Sequence, residues 1–126
     1  MKILANLKYS KSHEWVRVEG NKAYIGITDF GQDDLGDIFF LELPELGTEV
    51  VIEDVIGNTE SAKAVSTLLA PVKGKVVAIN ESLYDEPTKI NTEPYEHWIL
   101  VIELGDDSNL DSLMNNIEYK KFCDEQ

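Results

Sequence analysis

Short stretches in which apolar and polar residues alternate make up most of this chain. The clearest is Lys22–Thr28, where every second residue is apolar, as on the buried face of a strand. His13–Val18 has a similar pattern, and Glu19-Gly20-Asn21 between the two stretches has the composition of a tight turn. The pattern therefore predicts a hairpin formed by these two strands.

The same reasoning predicts strands along most of the remaining chain. The segment His97–Leu104 is almost wholly apolar, so we expect a strand that is buried on both of its faces. Many short strands separated by turns favour a mainly β fold, either a small sandwich or a barrel. The other predicted strands are Asp37–Leu43 and Gly74–Asn80, and strand-turn-strand units are expected on both sides of Lys63, where Thr48–Ser61 and Ala64–Leu69 flank it.

Helix is expected in only a few places. The polar segment Asp29–Leu35 predicts a short helix with Thr28 or Asp29 as its N-cap, and Asn80–Tyr84 predicts a helical turn. Pro87–Tyr95 contains two prolines, which favours a loop. Leu110–Gln126 predicts a C-terminal helical segment, broken near Asn115-Asn116, whose N-terminal caps are expected at Asp106, Asp107 and Ser108.

Length and charge narrow the class of protein. The 126 residues match one ordinary domain, 1–126. A net charge of −13 repels nucleic acid and anionic lipid, so we expect neither as a partner. The charge indicates either simple solubility or complementarity to basic partner proteins. No apolar run is long enough for a membrane span, and Met1–Tyr9 lacks a signal or transit pattern, so we expect a cytoplasmic protein or a mature organellar one.

The segment Glu60-Ser61-Ala62-Lys63-Ala64 is the strongest candidate for chemistry. Apolar strand residues flank it, which predicts Lys63 at the tip of a hairpin with its side chain outward. Small neighbours on both sides would leave the amine open to a modifying enzyme. Taken alone the pattern is weak, because most lysines at strand ends are simply solvated.

Several longer segments match one family in order and spacing. They are SHEWV (Ser12–Val16), YIGITDFGQDDLGDIFFLELPELG (Tyr24–Gly47), ESAKA (Glu60–Ala64), APVKGKVVAIN (Ala70–Asn80) and KINTEPY (Lys89–Tyr95). Over nearly its whole length the chain resembles the H-protein family of the glycine cleavage system. Biotinyl domains usually carry Met beside their modified lysine, and the alanines beside Lys63 therefore disfavour biotin.

The resemblance implies a fold and a role. The fold is a lipoyl-like barrel-sandwich hybrid with short helices and a C-terminal helical segment. Lys63 would carry lipoic acid in amide linkage. The protein would be a monomeric carrier, not an enzyme, that takes an aminomethyl group from the pyridoxal-phosphate enzyme glycine decarboxylase to aminomethyltransferase and electrons to dihydrolipoamide dehydrogenase. Lipoate-attaching enzymes would be further partners.

Two carboxylates are candidates for supporting roles. Glu60, with Ser61, Ala62 and Ala64, is expected to help a lipoate-attaching enzyme recognise the hairpin, or to contact the arm. Glu14, in the matched SHEWV segment, could pair with a cationic amine on the arm when the arm folds back. The alternative for each is an ordinary charge on the surface of a strand.

Other functions stay open at this stage. A carrier of the same fold could relay lipoate to 2-oxoacid dehydrogenases, or the chain could be a binding module without lipoate. Asp111-Ser112-Leu113 matches the phosphopantetheine attachment motif of acyl carrier proteins, but those are helical bundles, and this chain is predicted to be mostly strand. We expect Asp111 and Ser112 in the first turn of the C-terminal helix instead. Neither a nucleophile–base pair nor a metal-ligand pattern stands out.

Overall fold

The computed structural model describes the whole chain, residues 1–126, and consists mainly of strands. Four short helices join or follow them. The strands are β1 (Lys8–Tyr9), β2 (Glu14–Glu19), β3 (Lys22–Ile27), β4 (Ile38–Glu42), β5 (Glu49–Val50), β6 (Val55–Ser61), β7 (Val65–Leu69), β8 (Gly74–Ile79) and β9 (Leu100–Leu104). The helices are α1 (Asp29–Leu35), α2 (Ser82–Asp85), α3 (Lys89–Thr92) and α4 (Asn116–Asp124).

The strands form two antiparallel sheets. The larger has the order β1-β2-β3-β9-β8-β5, and the smaller has the order β4-β6-β7. The predicted hairpin of β2 and β3 is present, with Glu14 opposite Ile27 and Glu19 opposite Lys22. The mainly β class is confirmed, and the two sheets do not close into a single barrel.

The hydrophobic core lies between the two sheets. The larger sheet contributes Val16, Ile25 and Ile102, and the smaller contributes Leu41 and Ile56, all almost fully buried. Alternation along each strand explains the arrangement, because successive side chains point to opposite faces. A second buried cluster, Leu7, Tyr9, Trp15, Tyr119 and Cys123, joins β1 and β2 to α4. No helix is both long enough and apolar enough to cross a membrane.

Helix α1 confirms its predicted bounds and one of its two predicted caps. The Thr28 hydroxyl accepts a hydrogen bond from the Gly31 backbone N–H, which satisfies one of the donors left free at a helix N-terminus. The helix ends at Gly36, whose φ of +79° is a conformation that glycine adopts without a side-chain clash. The Gly36 N–H donates to the Gln32 carbonyl.

The C-terminal region differs from the prediction. The helix is α4 alone, and residues 110–115 before it are not helical, so Asp111 and Ser112 do not lie in a first helical turn. Its cap is Asn115, which forms a reciprocal capping box with Glu118. The predicted caps at 106–108 serve a turn instead, where the Ser108 hydroxyl accepts from the Gly105 N–H and donates to the Lys73 carbonyl.

Two further segments differ from the prediction. The segment expected to be a loop, 87–95, contains α3, and the Asn91 side chain fixes it to neighbouring elements. Asn91 Oδ1 accepts from the Ile38 N–H at 2.9 Å, and Nδ2 donates to the Gly36 carbonyl at 2.9 Å. The last strand begins at Leu100 rather than His97, and it is not buried on both faces throughout, because Glu103 is exposed.

Candidate functional site

Lys63 lies in the connection between β6 and β7, at the tip of the hairpin that these strands form. Glu60 pairs with Val65 as the last pair of the ladder, and the Ser61 N–H donates to the Ala64 carbonyl at 3.0 Å to close the turn. Ala62, Lys63 and Ala64 are all exposed. The tip therefore presents one long side chain between two methyl groups.

The Ser61 hydroxyl ties this tip to the end of α1. It is almost buried, donates to the Leu35 carbonyl at 2.6 Å, and accepts from the Lys63 and Ala64 N–H groups at 3.3 Å each. A second link joins the Ala62 N–H to the Asp37 carbonyl at 3.4 Å. These bonds hold the backbone of the tip while leaving the Lys63 side chain exposed.

The Lys63 side chain lies along the C-terminal end of α1. Its Nζ donates to the carbonyls of Asp33 and Asp34 at 3.3 and 3.4 Å. Its stem passes Gly36 so closely that a Cβ on this glycine would lie 3.3–3.4 Å from Lys63 Cε, Cδ and Cγ. The carbonyls at a helix end lack partners within the helix and carry partial negative charge, which is why an ammonium settles there.

Glu14 occupies a different environment from the one expected of a surface charge. It is only 2% exposed, and its Oε1 accepts hydrogen bonds from the hydroxyls of Ser10 at 2.7 Å and Ser12 at 2.5 Å. Burial raises its pKa to about 7, against the lowering effect of these two bonds and of the Leu69 backbone. A buried carboxyl group that makes no salt bridge can therefore change its charge near neutral pH.

An open cleft of about 420 Å³ lies beside the Glu14 cluster. Ser10 and Ser12, which hold the carboxyl group, line it together with Leu69, the last residue of β7. The other end of β7 adjoins the Lys63 tip. Five strand residues span about 17 Å, so the cleft and the tip are separate places joined by one strand. Of the six predicted site residues, five lie at the tip, and Glu14 is buried beside the cleft, bound to two serines that line it.

A hydrogen-bonded chain holds the segment that carries Glu14. The Tyr119 hydroxyl in α4 lies 2.7 Å from His13 Nδ1 and 2.7 Å from the Thr28 hydroxyl. Burial lowers the pKa of His13, which favours the neutral ring that can accept a hydrogen bond at Nδ1. His13 itself has a φ of +69°, unusual outside glycine. The last helix thus fixes both the residue before Glu14 and the cap of α1.

Sequence reasoning missed Ser10 and Ser12. The signal was a hydroxyl residue four and two positions before a carboxylate, within a segment that was otherwise recognised. The pattern was ambiguous because serines near a strand end are usually solvated.

The fold and site together define a small β-sheet protein that displays an exposed lysine side chain at the tip of a hairpin whose backbone is held by hydrogen bonds. Comparison with known proteins makes this specific. A family model described as "Glycine cleavage H-protein" matches residues 7–126. The chain therefore belongs to the glycine cleavage H-protein family.

Individual relatives agree over almost their entire lengths. The glycine cleavage system H protein of Thermoanaerobacter sp. (strain X514) is 52% identical over 126 residues, which is 100% of each chain. That of Coprothermobacter proteolyticus is 54% identical over 127 aligned positions, which is 99% of this chain and 100% of the relative. The crystal structure of a glycine cleavage system H protein from Mycobacterium marinum superimposes with a TM-score of 0.82 at 32% identity, covering 94% of this chain and 97% of that one.

Proposed function

We propose that this protein is the lipoylated carrier of a glycine cleavage system, with lipoic acid joined through an amide to Lys63 Nζ. Membership of the H-protein family supports the carrier role, which is that of a cosubstrate and not of a catalyst. The observation that carries the assignment to Lys63 is its position, exposed at the tip of a hairpin whose backbone is held by Ser61. The whole chain, 1–126, acts as one carrier domain.

The residues at the tip fit an amide-linked arm. The Lys63 Nζ touches only backbone carbonyls at long hydrogen-bond distances, so few contacts are lost when it is acylated. Ala62 and Ala64 leave both sides of the stem free, and no large side chain lies next to it in sequence. Once attached, lipoic acid supplies a dithiolane that can carry a one-carbon amine and two electrons, chemistry that no side chain of this protein offers.

Glu14 is the residue that we propose for contact with a cationic amine on the arm. Its ionised carboxylate, oriented by the Ser10 and Ser12 hydroxyls, would attract an ammonium group that enters the cleft beside it. The pKa of about 7 means that approach of a cation also favours loss of the Glu14 proton. Glu14 would thus hold the charged end of the arm without taking part in bond making.

The partners follow from the family at a coarse level, since the other components of glycine cleavage must meet this carrier. More specifically, we propose glycine decarboxylase, aminomethyltransferase and dihydrolipoamide dehydrogenase, together with a lipoate-attaching enzyme. The net charge of −13 supports docking on basic enzyme faces. We propose the cytoplasm as the compartment.

The test is the intact mass, with peptide mapping, of protein incubated with a lipoate ligase, lipoate and ATP. We expect one lipoyl addition on Lys63. Lys63→Arg should prevent it, because a guanidinium is a poor acyl acceptor. Lys75→Arg, an exposed position on β8, is the matched control and should be modified normally. Absence of addition, with a ligase that modifies a known carrier, would refute the assignment.

A further inference from the structure

Three large apolar side chains are exposed near the Lys63 tip. Phe39 is 63% exposed, Phe40 45% and Val65 67%. Phe40, Glu60 and Val65 lie directly opposite one another across β4, β6 and β7. Residues opposite one another in adjacent strands share a face of the sheet. This row is therefore on the outer face, beside the tip, and Phe39, Phe40 and Val65 are called the tip patch below.

A β-bulge brings the two phenylalanines to the surface together. The register of β4 against β6 shifts between Ile38 and Phe40, which makes Phe39 the extra residue. In a regular strand, neighbouring side chains would point to opposite faces, and one phenylalanine would enter the core. Bulges often redirect a side chain near a functional site. Exposing two adjacent aromatic rings has no benefit for folding, whereas aromatic side chains are enriched in the centres of protein interfaces.

The chain segment that contains the tip patch is strongly acidic. Residues 23–72 include ten aspartates and glutamates. Lys63 is the only lysine, arginine or histidine within this segment. Five of these acidic residues lie in α1, β4 and β6 or in the connection between α1 and β4: Asp33, Asp34, Asp37, Glu42 and Glu60. The tip patch is thus an apolar surface in a segment rich in carboxylates, and Lys63 is the one basic residue of that segment.

We propose that the tip patch is the docking surface for the enzyme that acylates Lys63, and that this enzyme presents an apolar centre with a rim of lysines and arginines. The inference rests on the proposed function, because it assumes attachment at Lys63. An attaching enzyme must bring its active centre within bonding distance of an Nζ that lies against α1. It therefore has to cover the hairpin tip and the residues next to it. Enzymes that act on the far end of a long arm have no such requirement.

The covalent step itself is simple. The Nζ–carbonyl bond forms as the acyl–phosphate bond of lipoyl-adenylate breaks. AMP leaves with the bonding electrons, and the ammonium gives up two protons to solvent. Nothing in this step needs a catalytic side chain from the carrier, so recognition by surface contact is the contribution left to the tip patch.

The first test compares two double variants in the ligase reaction, with lipoate and ATP as co-substrates and intact mass as the readout. Phe40→Thr with Val65→Thr removes apolar surface from the tip patch. The control, Val55→Thr with Ile117→Thr, removes exposed apolar surface elsewhere, at positions that are 63% and 74% exposed. Val55 lies on the same hairpin but at the end away from Lys63, opposite Leu69. We expect the tip-patch variant to lower kcat/KM at least tenfold, through KM, and the control to change it less than twofold.

The second test addresses the acidic residues of the segment that contains the tip patch. Raising the salt concentration should increase KM for the wild type, since it screens charges between the two proteins. Glu42→Lys with Glu60→Lys should raise KM and weaken its salt dependence, whereas Glu45→Lys with Glu125→Lys, which makes the same charge change at exposed sites outside the tip, should have a smaller effect. Equal KM values for the two charge variants would overturn the acidic part of the proposal.

A binding measurement separates docking from chemistry. In a Lys63→Arg background, calorimetric titration with the ligase should show a Kd at least tenfold weaker when Phe40→Thr and Val65→Thr are added. Thermal unfolding of each variant shows whether it is folded, and Val65→Thr alone provides a milder change if the double variant is not.

Three outcomes would count against the proposals, and each outcome shows which proposal fails. If the ligase modifies a known carrier but not this protein, the proposed function fails and the docking proposal fails with it. If the wild type is modified and both apolar double variants match it in kcat/KM and Kd, the docking proposal alone fails. If the tip-patch variant is lipoylated normally but is a poorer substrate for glycine decarboxylase, the tip patch serves a later partner and our assignment to the attaching enzyme is wrong.

Discussion

Glu14→Gln should remove a pH dependence of stability that the wild type has between about pH 5 and pH 9. The folded protein holds the Glu14 proton up to a pKa of about 7, whereas an unfolded chain releases it near 4.5. Between these values the folded state binds more protons, so its stability falls as the pH rises through this window. The glutamine variant has no proton to lose and lacks this contribution.

The size of this change in the free energy of unfolding follows from the shift in the pKa of Glu14. A raised pKa costs about 1.4 kcal/mol per unit once the group is ionised. For pKa values of about 7 folded and 4.5 unfolded, the penalty that builds up between pH 5 and pH 9 is about 2.5 kcal/mol. The 2% exposure of Glu14 means that solvent does little to screen this penalty. The free energy of unfolding of Glu14→Gln should therefore rise by about 2.5 kcal/mol relative to that of the wild type between pH 5 and pH 9.

Urea unfolding at several pH values, followed by tryptophan fluorescence, provides the measurement. The difference between wild type and Glu14→Gln cancels the titration of all other groups. Glu45→Gln, at an exposed position, controls for the loss of a negative charge. A difference between Glu14→Gln and wild type that stays within about 0.5 kcal/mol from pH 5 to 9 would show that the Glu14 carboxyl group is not held in a poorly solvated site.

Three other substitutions test the structure around the site. Asn115→Ala removes the capping box of α4 and should lower the free energy of unfolding in urea by about 1 kcal/mol; an unchanged midpoint would contradict the cap. Tyr119→Phe removes the hydroxyl that binds His13 and Thr28 and should cost about 1–3 kcal/mol in the same assay, whereas no loss would show that the bonds are not made. Gly36→Ala introduces a Cβ at φ +79° and ψ −171°, a region that is almost restricted to glycine, so thermal unfolding should reveal a loss of about 1–3 kcal/mol; equal stability would mean that the helix end differs.

Local sequence was sufficient where a structure depends on local contacts. The hairpin of β2 and β3 and the helix α1 were predicted because alternation, turn residues and the Thr28 cap all lie within the segments themselves. The exposed position of Lys63 at a hairpin tip was predicted for the same reason. The contact of its Nζ with α1 was not predicted, since it joins residues about thirty positions apart.

The errors arose where distant segments decide the structure or where two local signals compete. Asp106, Asp107 and Ser108 were predicted as caps of the last helix, but its cap is Asn115 with Glu118, and Asp107 pairs with Lys73 instead. The alternative that Glu14 is an ordinary surface charge is wrong, and its burial depends on packing near Leu69, fifty-five positions away. Helix α3 was not predicted because the two prolines of its segment favoured a loop. The contacts of Asn91 with Gly36 and Ile38, which hold the helix in place, join distant parts of the chain.

The hydrogen bonds of Tyr119 have a consequence for the order in which the molecule is assembled. The sheet that carries Lys63 closes over short sequence separations, at most 23 positions between Ile38 and Ser61, so little loop entropy opposes its formation. The segment that carries Glu14 is held by a residue 106 positions further along. On a ribosome, the attachment hairpin is complete long before this holding residue has been synthesised. The segment that carries Glu14 therefore gains its last hydrogen-bond partner only when α4 has been synthesised. Until then, the chain can form the Lys63 hairpin but not the complete surroundings of Glu14.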